Sequence, residues 1–371
     1  MSGLYIGLMS GTSIDGIDAA IAEFEGSRFV TLHASAHFEY PQALRARLIE
    51  ISLEQPCLSL REFCSLDAEI GKAFAQAALT ILADSAIPRS AITAIGSHGQ
   101  TLFHDGAEGL TLQLGDANRI AAATGVATVA DFRRLDLALG GQGAPLVPAF
   151  HQALFASAAE TRCVLNLGGI ANITVLPRSA DRPVTGFDTG PANGLMDEWM
   201  MLNRGQAFDA GGAFAASGTA HAGLTDALLA DPYFALPAPK STGRDYFRLD
   251  WVRARYPELD ILRSEDVQAS LAAVTATSVA DAVLAAAPDV ARLIVCGGGV
   301  SNLELLRLLR VALPGVSLES SSGHGLAPEW IEATAFAWLA MRRIQGKAGN
   351  LPAVTGARCA APLGCVVLPP K

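Results

Sequence analysis

The segment GLMSGTSIDGIDAAIAEF, residues Gly7–Phe24, places a loop of Gly, Ser, Thr and Asp between two apolar stretches. The apolar flanks predict two paired strands, so the loop between them is expected to be a hairpin tip. A P-loop needs a lysine followed by Ser or Thr at the start of a helix, and a dinucleotide-binding loop needs GxGxxG. This segment contains neither pattern. The hairpin is therefore a candidate anion site of another kind.

The polar groups of this loop suit a nucleotide that is bound together with a cation. Gly11 and Gly16 let the main chain approach an anion closely, and the Thr12–Ser13 pair adds hydroxyl and amide donors. Asp15 would repel phosphate directly, but it becomes useful as an oxygen ligand when Mg²⁺ lies between the two. Asp18 could bind a substrate hydroxyl or the water shell of the metal. A tight Asp-Gly turn without a ligand is the alternative that the loop alone leaves open.

A second segment repeats this arrangement. In residues Cys163–Leu176 the strand-like stretches VLNL and ITVL flank GGIAN. Two hairpins with glycine tips, one in each half of the chain, predict two similar domains facing a cleft. The second tip supplies Gly168, Gly169 and Asn172, although Gly-Gly tips are also common in ordinary turns.

A third glycine-rich segment, CGGGVSN at residues 296–302, follows the strand-like stretch RLIVC. Gly297, Gly298 and Gly299 leave an open surface against which an adenine or a ribose could lie. The alternative is a tight connection into the helix that Asn302 is expected to cap.

The segment GFDTGPAN, residues 186–193, contains a candidate general base. Asp188 is expected at the end of a strand, and Gly190-Pro191 then turns the chain into a helix. A carboxylate at the carboxyl end of a strand is well placed to accept a proton. Helix capping is the alternative role for Asp188, but Asn193 can cap that helix itself, so we favour catalysis.

The composition suits an α/β enzyme of two domains. The chain has 371 residues, of which 50% are hydrophobic and 17% are charged. Strand and helix patterns alternate throughout, which predicts mixed sheets covered by helices. The formal net charge is -9 and the best basic cluster is the small Arg133-Arg134 pair, so no nucleic-acid partner is expected.

We expect a cytoplasmic protein without a membrane partner. The N-terminus lacks the basic stretch and apolar core of a signal peptide, and no uninterrupted apolar run reaches ~18 residues. The Ala-rich stretch Val267–Ala287 is interrupted by Thr, Ser and Asp, which predicts a buried helix. The six cysteines form no CxxC pair, so we expect free thiols.

Taken in order, these segments resemble the anhydro-N-acetylmuramic acid kinase family of the sugar kinase, Hsp70 and actin superfamily. The resemblance is carried by GLMSGTSIDGID, IGSHGQT, ADFRRLDLALGGQGAPLVPAFHQALF, LNLGGIANIT, GFDTGPAN, PKSTGRDYF and VCGGGVSN, and it extends to the C-terminal VTGA and PLG segments. It implies a two-domain actin-like ATPase (ribonuclease H-like) fold, with mixed sheets flanked by helices and a central nucleotide cleft. We place the first domain at residues 1–129 and 346–371 and the second at residues 130–345.

The resemblance also implies an activity. Such enzymes use ATP and Mg²⁺ to hydrolyse the bridge of 1,6-anhydro-N-acetylmuramic acid and to phosphorylate O6, which gives N-acetylmuramate 6-phosphate and ADP during peptidoglycan recycling. We expect a homodimer. The alternatives are an ordinary hexokinase-type sugar kinase and a nucleotide-gated actin-like or chaperone-like ATPase.

Roles follow from the resemblance residue by residue. Asp188 falls on the catalytic aspartate, and Asp15 on the position that faces Mg-ATP. The ATP-binding residues implied are Gly11, Thr12, Ser13, Ile14, Asp15, Gly16, Ile17 and Asp18 of the first phosphate hairpin, Gly168, Gly169 and Asn172 of the second, and Gly297, Gly298 and Gly299 of the adenosine loop. The sugar-binding residues implied are Gln100, Arg133, Arg134 and Glu332. One departure is Ala192, where the family usually has glycine; a positive φ there would strain the turn after Asp188.

Overall fold

The computed structural model describes residues 2–11, 13–243 and 246–370. The chain divides into two compact units, a first unit of Met1–Leu154 with Trp330–Lys371 and a second unit of Phe155–Glu329. These limits differ from the predicted domain boundaries at 129/130 and 345/346.

The strands form two sheets, one in each unit. In chain order they are β1 (Ser2–Ser10), β2 (Ile17–Glu25), β3 (Arg28–Phe38), β4 (Ile92–Asp105), β5 (Leu110–Leu114) and β6 (Thr128–Ala130) in the first unit, β7 (Thr161–Leu167), β8 (Ile170–Leu176), β9 (Thr185–Pro191), β10 (Val290–Cys296) and β11 (Ser317–Ser320) in the second, and β12 (Cys365–Val367) in the first again.

Helices flank both sheets. The α-helices are α1 (Gln42–Glu54), α2 (Leu60–Ser85), α3 (Ala117–Thr124), α4 (Arg134–Ala138), α5 (Val147–Phe155), α6 (Asn193–Arg204), α7 (Ala213–Ser217), α8 (Ala222–Leu229), α9 (Pro232–Ala235), α10 (Leu249–Arg255), α11 (Ser264–Ala286), α12 (Leu303–Ala312), α13 (Ile331–Ile344) and α14 (Pro352–Thr355). Short 3-10 turns cover Arg89–Ala91, Ala210–Gly212, Leu259–Ile261, Gly298–Ser301, Ser321–His324 and Pro328–Trp330.

The two sheets share one topology. The first has the order β3-β2-β1-β4-β6, with the two pairs before β1 antiparallel and the two pairs after it parallel. The second has the order β9-β8-β7-β10-β11 with the same succession of directions. Strands β5 and β12 extend the first sheet. The predicted α/β fold with two mixed sheets is confirmed, and the two glycine-tipped hairpins, β1–β2 and β7–β8, occupy equivalent places in the two sheets.

Helix α13 packs directly on the first sheet, which is why it belongs to the first compact unit. An added Cβ at Gly7 of β1 would lie 1.8 Å from the carbonyl oxygen of Ala333, and one at Gly96 of β4 would lie 2.1 Å from that of Phe336. Only glycine allows the helix and the two strands to approach this closely.

Helix α11 fills the core of the second unit. Among the described residues it is the one helix long and apolar enough to cross a membrane, yet 61% of its apolar window is buried inside the structure. Val267, Ala272 and Val279 on it are fully buried in the core of that unit. The prediction of a buried helix over this Ala-rich stretch is confirmed.

Candidate active site

The tip between β1 and β2 is the first predicted phosphate hairpin. Ser13 and Asp15 are exposed and Gly11 is partly exposed, so polar atoms of the tip are accessible to a ligand. Thr12, which was also predicted to bind ATP, lies outside the described residues.

Two apolar residues of the same tip anchor it to the core. The side chains of Ile14 and Ile17 are 2% and 1% exposed, so they can offer a nucleotide only their main chains. Ile14 has a φ of 54°, a left-handed conformation that a β-branched residue rarely adopts. Arg45 Nε donates to the Ile14 carbonyl at 2.9 Å and helps to hold this strained residue.

The end of the tip packs against β3. A Cβ at Gly16 would lie 2.5 Å from His37 Nε2 and from the Phe38 carbonyl oxygen, so this position requires glycine. Asp18, already inside β2, lies with its Oδ1 atom 2.7 Å from His37 Nδ1.

Gln100 supports the hairpin from below. Its side chain is fully buried, and its Nε2 donates to the Gly11 carbonyl at 3.1 Å and to the Thr101 carbonyl at 3.2 Å. Its Oε1 lies 2.7 Å from Ser10 Oγ and 3.2 Å from the Tyr40 hydroxyl. The amide that was predicted to contact the sugar is therefore buried and hydrogen-bonded within the protein.

Arg133 and Glu332 lie in one charged cluster with the acids of the hairpin. Burial raises the pKa of Glu332, Asp18 and Asp15 raise it further, and Arg133 opposes them. Burial lowers the pKa of Arg133 to about 10, and Glu332 opposes that shift. Two of the predicted sugar-binding residues are therefore coupled electrostatically to each other, and Glu332 is also coupled to the predicted Mg-ATP residues Asp15 and Asp18.

The Arg133 guanidinium is held in place by neighbouring acceptors. Its Nη1 donates to the Gly143 carbonyl at 2.8 Å, and its Nη2 and Nε lie 2.9 and 3.2 Å from His98 Nε2. His98 therefore accepts at Nε2 and carries its proton on Nδ1. Burial, reinforced by Arg133, lowers the pKa of His98 well below its usual value, so the imidazole is neutral.

A buried carboxylate fixes the glycine loop that carries Gly143. Asp136 Oδ2 accepts from the Gly143 amide at 2.8 Å, and its Oδ1 accepts from Asn350 Nδ2 at 2.6 Å and Thr355 Oγ1 at 2.8 Å. Asp136 was not among the predicted site residues. The polar residue Thr355 of the C-terminal VTGA segment could have pointed to a buried partner, but only the fold brings it beside residue 136.

Arg134 faces a separate pocket of the first unit. It is exposed, with Nη1 3.5 Å from Asp131 Oδ2. Together with Asp131, Asp67 and Gln113 it lines a pocket of about 230 Å³. The Ser97 hydroxyl, on the same wall, is buried and has no hydrogen-bond partner in the structure. A polar pocket of this size suits a hydroxylated ring.

In the second unit, neighbouring strands align a row of polar side chains. Asp188 of β9 lies opposite Asn172 of β8, Asn172 lies opposite Asn166 of β7, and Asn166 lies opposite Cys296 of β10. Paired residues project from the same face of a sheet, so the four side chains form one row. Their chain neighbours, such as Phe187, belong to the core on the other face. Asn166 was not among the predicted site residues.

Asp188 has the raised proton affinity of a general base. Burial raises its pKa to about 6, and the Thr242 amide, which donates to Oδ2 at 2.9 Å, opposes the shift. The Asp188 amide donates to the Lys240 carbonyl at 3.0 Å, and the Asp188 carbonyl accepts from the Tyr233 hydroxyl at 2.8 Å. The segment PKSTGRDYF, to which the residue pattern assigned no role, therefore holds the candidate base; its Arg244 and Asp245 lie outside the described residues.

The turn after Asp188 differs from the expected one. Strand β9 continues through Asp188 to Pro191, with a bulge that leaves Thr189 unpaired. Ala192 precedes the helix without a side-chain cap, and Asn193 donates from Nδ2 to the Leu167 carbonyl at 3.0 Å instead of capping. The φ of Ala192 is -127°, so alanine in place of the usual glycine causes no left-handed strain.

The second hairpin joins the start of helix α6. The amides of Ala192 and Gly194 both donate to the Gly169 carbonyl at 3.1 Å, and the Asn193 amide donates to the Gly168 carbonyl at 3.0 Å. These bonds fix the tip of the hairpin beside the strand that carries Asp188.

The adenosine loop packs against the same hairpin. A Cβ at Gly299 would lie 2.5 Å from Leu167 Cβ, and one at Gly297, whose φ is 79°, would lie 2.4 Å from Asn166 Oδ1. Gly298 is exposed and its Cβ position is open. Two of the three predicted nucleotide segments therefore adjoin in the second unit, next to Asp188.

The sequence was compared with known proteins. A family model described as anhydro-N-acetylmuramic acid kinase matches residues 3–369. The chain belongs to the anhydro-N-acetylmuramic acid kinase family. It is 51% identical over 369 residues to the anhydro-N-acetylmuramic acid kinase of Xanthomonas axonopodis pv. citri, covering 98% of both chains. It is 48% identical over 373 residues to that of Saccharophagus degradans, covering 99% of both. Membership of this family makes the chain a phosphotransferase with an alcohol group as acceptor.

Solved structures give more distant matches. The activator of 2-hydroxyisocaproyl-CoA dehydratase from Clostridium difficile, with bound ADPNP, has a TM-score of 0.46 at 10% identity, over 92% of this chain and 96% of that one. The ROK hexokinase of Thermus thermophilus has a TM-score of 0.35 at 18% identity, over 92% and 99% of the two chains.

Proposed function

We propose that this enzyme opens 1,6-anhydro-N-acetylmuramic acid with water and phosphorylates O6 with ATP, giving N-acetylmuramate 6-phosphate and ADP in cytoplasmic peptidoglycan recycling. The observation that carries the proposal is Asp188, a partly buried carboxylate with a pKa of about 6 beside two adjoining glycine segments. Full-length similarity to anhydro-N-acetylmuramic acid kinases supports this substrate over that of an ordinary hexokinase-type enzyme.

The reaction needs one base and no free acceptor hydroxyl. In the anhydro sugar, O6 is bonded to C1. Water attacks C1 and its proton passes to Asp188, while the C1–O6 bond breaks and its electron pair stays on O6. O6 then bonds to the γ-phosphorus, and the bond from that phosphorus to the β-γ bridging oxygen breaks. With a pKa of about 6, Asp188 is ionised at neutral pH and retains enough basicity to accept the proton.

Main-chain groups of the glycine segments would bind the nucleotide. The accessible tip around Gly11 and the tip at Gly168-Gly169 offer amides at which phosphate oxygens can lie. The open surface at Gly298 suits the flat face of a nucleoside. The polar row from Cys296 to Asp188 runs between the adenosine loop and the base within the second unit.

Asp15 is the residue proposed to hold Mg²⁺, directly or through water. It is exposed at the first hairpin, and no group of three His, Cys, Asp or Glu side chains in the described part of the chain could hold an ion alone. One carboxylate fits Mg²⁺, because this ion takes most of its octahedral ligands from phosphates and water. When bound, Mg²⁺ neutralises charge on the transferring phosphoryl group.

The sugar is proposed to lie against the polar surface of the first unit. Its lactyl carboxylate needs a cation, and Arg134 is exposed at the mouth of the 230 Å³ pocket, with only a loose pairing to Asp131. Gln113 and Ser97 on the pocket wall can hydrogen-bond hydroxyl or acetamido groups. Arg133 and Glu332, both partly buried, add opposite charges that influence each other electrostatically.

An acceptor screen tests the proposal. The purified enzyme is incubated with Mg-ATP and either 1,6-anhydro-N-acetylmuramic acid, N-acetylmuramic acid or N-acetylglucosamine, and ADP and sugar phosphate are measured together. We expect equimolar ADP and N-acetylmuramate 6-phosphate with the anhydro sugar alone. Equal turnover of an open sugar would identify an ordinary sugar kinase. Light scattering of the same preparation tests the proposed homodimer.

A further inference from the structure

Gln100 occupies an unusual position for a glutamine, because its amide nitrogen and its amide oxygen both find their hydrogen-bond partners inside the protein. The side chain is 0% exposed and lies beside the last residue of β1, Ser10, its partner in the parallel pairing of β1 and β4. A buried amide whose nitrogen and oxygen both have partners within the protein is fixed in orientation and position.

The donors and acceptors around the side chain determine the positions of Nε2 and Oε1. Nε2 faces the main-chain carbonyls of Gly11 and Thr101, which can only accept. Oε1 faces the hydroxyls of Ser10 and Tyr40, which can donate. Turning the amide over would place its oxygen against two carbonyls, which cannot donate.

These bonds reach both ends of the first hairpin. Nε2 holds the Gly11 carbonyl, where the tip begins. The Ser10 hydroxyl lies 2.7 Å from Oε1 and also 2.7 Å from the carbonyl of Gly16, where the tip ends, and it shares its one proton between these acceptors. Gln100 thereby contacts one end of the loop directly and is linked to the other end through Ser10.

Tyr40 completes the arrangement. It is 4% exposed, and its pKa is raised by burial and by the negative charge of Asp15, so the hydroxyl stays protonated and serves as a donor. The support of the hairpin is thus built from three buried side chains of the first unit, Ser10, Tyr40 and Gln100.

We propose that Gln100 is a positioning residue for ATP: its amide holds the Gly11 end of the first phosphate hairpin directly and the Gly16 end through Ser10, and so fixes the main-chain groups that meet the phosphates. It touches neither the nucleotide nor the sugar. This inference rests on the proposed function, since it takes the hairpin to be a nucleotide site, and it replaces the sugar contact that the sequence suggested.

Steady-state kinetics of the full-length enzyme, with ATP and the anhydro sugar varied separately, tests the inference. Gln100→Met keeps the volume but removes every hydrogen bond. We expect it to raise the KM for ATP by ~10-fold or more, because misplaced binding groups lose affinity steeply, and to leave the KM for the sugar within about twofold. Tyr40→Phe, which leaves the amide in contact with Gly11, should raise the KM for ATP less.

The pH dependence of the Gln100→Glu variant distinguishes a positioning role from a purely structural one. The ionised carboxylate has no proton to donate to Gly11, whereas the neutral acid has one. Burial raises the pKa of such a carboxyl, so lowering the pH from about 8.5 to 6 should restore part of the donation. We expect the KM for ATP of this variant, divided by that of the wild type, to fall over this range.

A buried glutamine of the second unit supplies the matched control. Gln268 of α11 is also 0% exposed, and its Nε2 lies 3.4 Å from Asp209 Oδ2. Gln268→Met should lower the unfolding temperature but leave the KM for ATP unchanged. A similar rise in the KM for ATP in both Met variants would show general destabilisation and overturn the inference. If the Gln100 variants raise the KM for the sugar and leave the KM for ATP unchanged, the result would support a direct contact between Gln100 and the sugar and would overturn the inference.

Asp15→Ala separates failure of the inference from failure of the proposed function. If this variant weakens ATP while the Gln100 variants do not, the positioning role is wrong and the hairpin remains the nucleotide site. If neither change affects ATP, the hairpin is not the nucleotide site. Should Gln100→Met fail to fold, Gln100→Glu and Tyr40→Phe still distinguish these outcomes.

Discussion

At the scale of the single residue, the balance between burial and hydrogen bonding sets the proton affinity of Asp188. One amide, that of Thr242, donates to its carboxylate, so burial prevails and the pKa rises to about 6. Glu160 of the same unit shows the opposite balance, because hydrogen bonds from Arg292 and Arg162 lower its pKa. Only the first arrangement leaves a carboxylate that can take up a proton near neutral pH.

Replacing Asp188 should therefore abolish most of the activity. Asp188→Asn keeps the shape and the bond from Thr242 but cannot accept a proton, and we expect kcat to fall by ~10² or more. Binding of a non-hydrolysable ATP analogue, measured by calorimetry, should change by less than about twofold. Asp181→Asn, on an exposed turn of the same unit, is the matched control. Near-normal turnover of Asp188→Asn would rule out its role as the base.

The fall of kcat/KM at acid pH should follow the protonation of Asp188. Because the ionised form of Asp188 is active, kcat/KM should rise with pH and level off above a midpoint near 6. Initial rates between about pH 4.5 and 8 measure it, with folding checked by circular dichroism at each end. A profile that is flat down to pH 4.5 would mean that no group with this pKa must be ionised.

The chemical role of a residue could be predicted from the sequence more fully than the contacts that surround it. The pattern GFDTGPAN was enough to single out Asp188, but not Thr242 or Lys240, which contact it from 50 or more positions away in the sequence. Gln100 shows the same limit. Its place in IGSHGQT suggested a ligand contact, and only the fold surrounds its amide with partners from the protein itself.

At the scale of the element, close packing of glycines shapes the segments that are predicted to bind the nucleotide. Gly299 allows the adenosine loop to lie on Leu167 of the second hairpin, whereas Gly298 beside it faces open space. The sequence shows three equivalent glycines here, and nothing in it separates the packed position from the open one.

Alanine substitutions should separate these two glycines. Gly299→Ala places a Cβ 2.5 Å from Leu167 Cβ, and we expect the free energy of unfolding to drop by ~1–3 kcal/mol as the hairpin is pushed aside. Gly298→Ala, the matched control, should change it by less than about 0.5 kcal/mol. Urea unfolding followed by tryptophan fluorescence measures both. Equal stabilities would show that the loop and the hairpin do not pack as described.

At the scale of the whole molecule, the repeated topology explains why the weak similarity between the two hairpin sequences predicted two similar domains. The hairpins β1–β2 and β7–β8 barely match in sequence, yet they occupy equivalent places in the two sheets. Strand patterns and glycine tips were enough to predict two similar α/β halves. The limits of the halves were not predictable from the same patterns, because the membership of α13 depends on its packing against Gly7 and Gly96.

The two hairpins should respond to the same ligand. If both bind ATP, a non-hydrolysable analogue with Mg²⁺ should slow amide hydrogen exchange in residues 11–18 and in residues 168–172. The helix Ala222–Leu229, to which we assign no ligand, is the internal control. Slower exchange in one hairpin alone would contradict a nucleotide site that uses both.

The central claim is that one base couples opening of the anhydro ring to transfer of the phosphoryl group. The bridge oxygen covers the β face of C1, so water activated by Asp188 attacks from the opposite face. Proton NMR of the anomeric signal, recorded in the first moments after mixing enzyme, Mg-ATP and 1,6-anhydro-N-acetylmuramic acid, is the most direct measurement. We predict that N-acetylmuramate 6-phosphate appears first as the α-anomer and equilibrates later. A β-anomer at the earliest times would contradict coupled hydrolysis and phosphorylation, as would free N-acetylmuramate reacting as fast as the anhydro sugar.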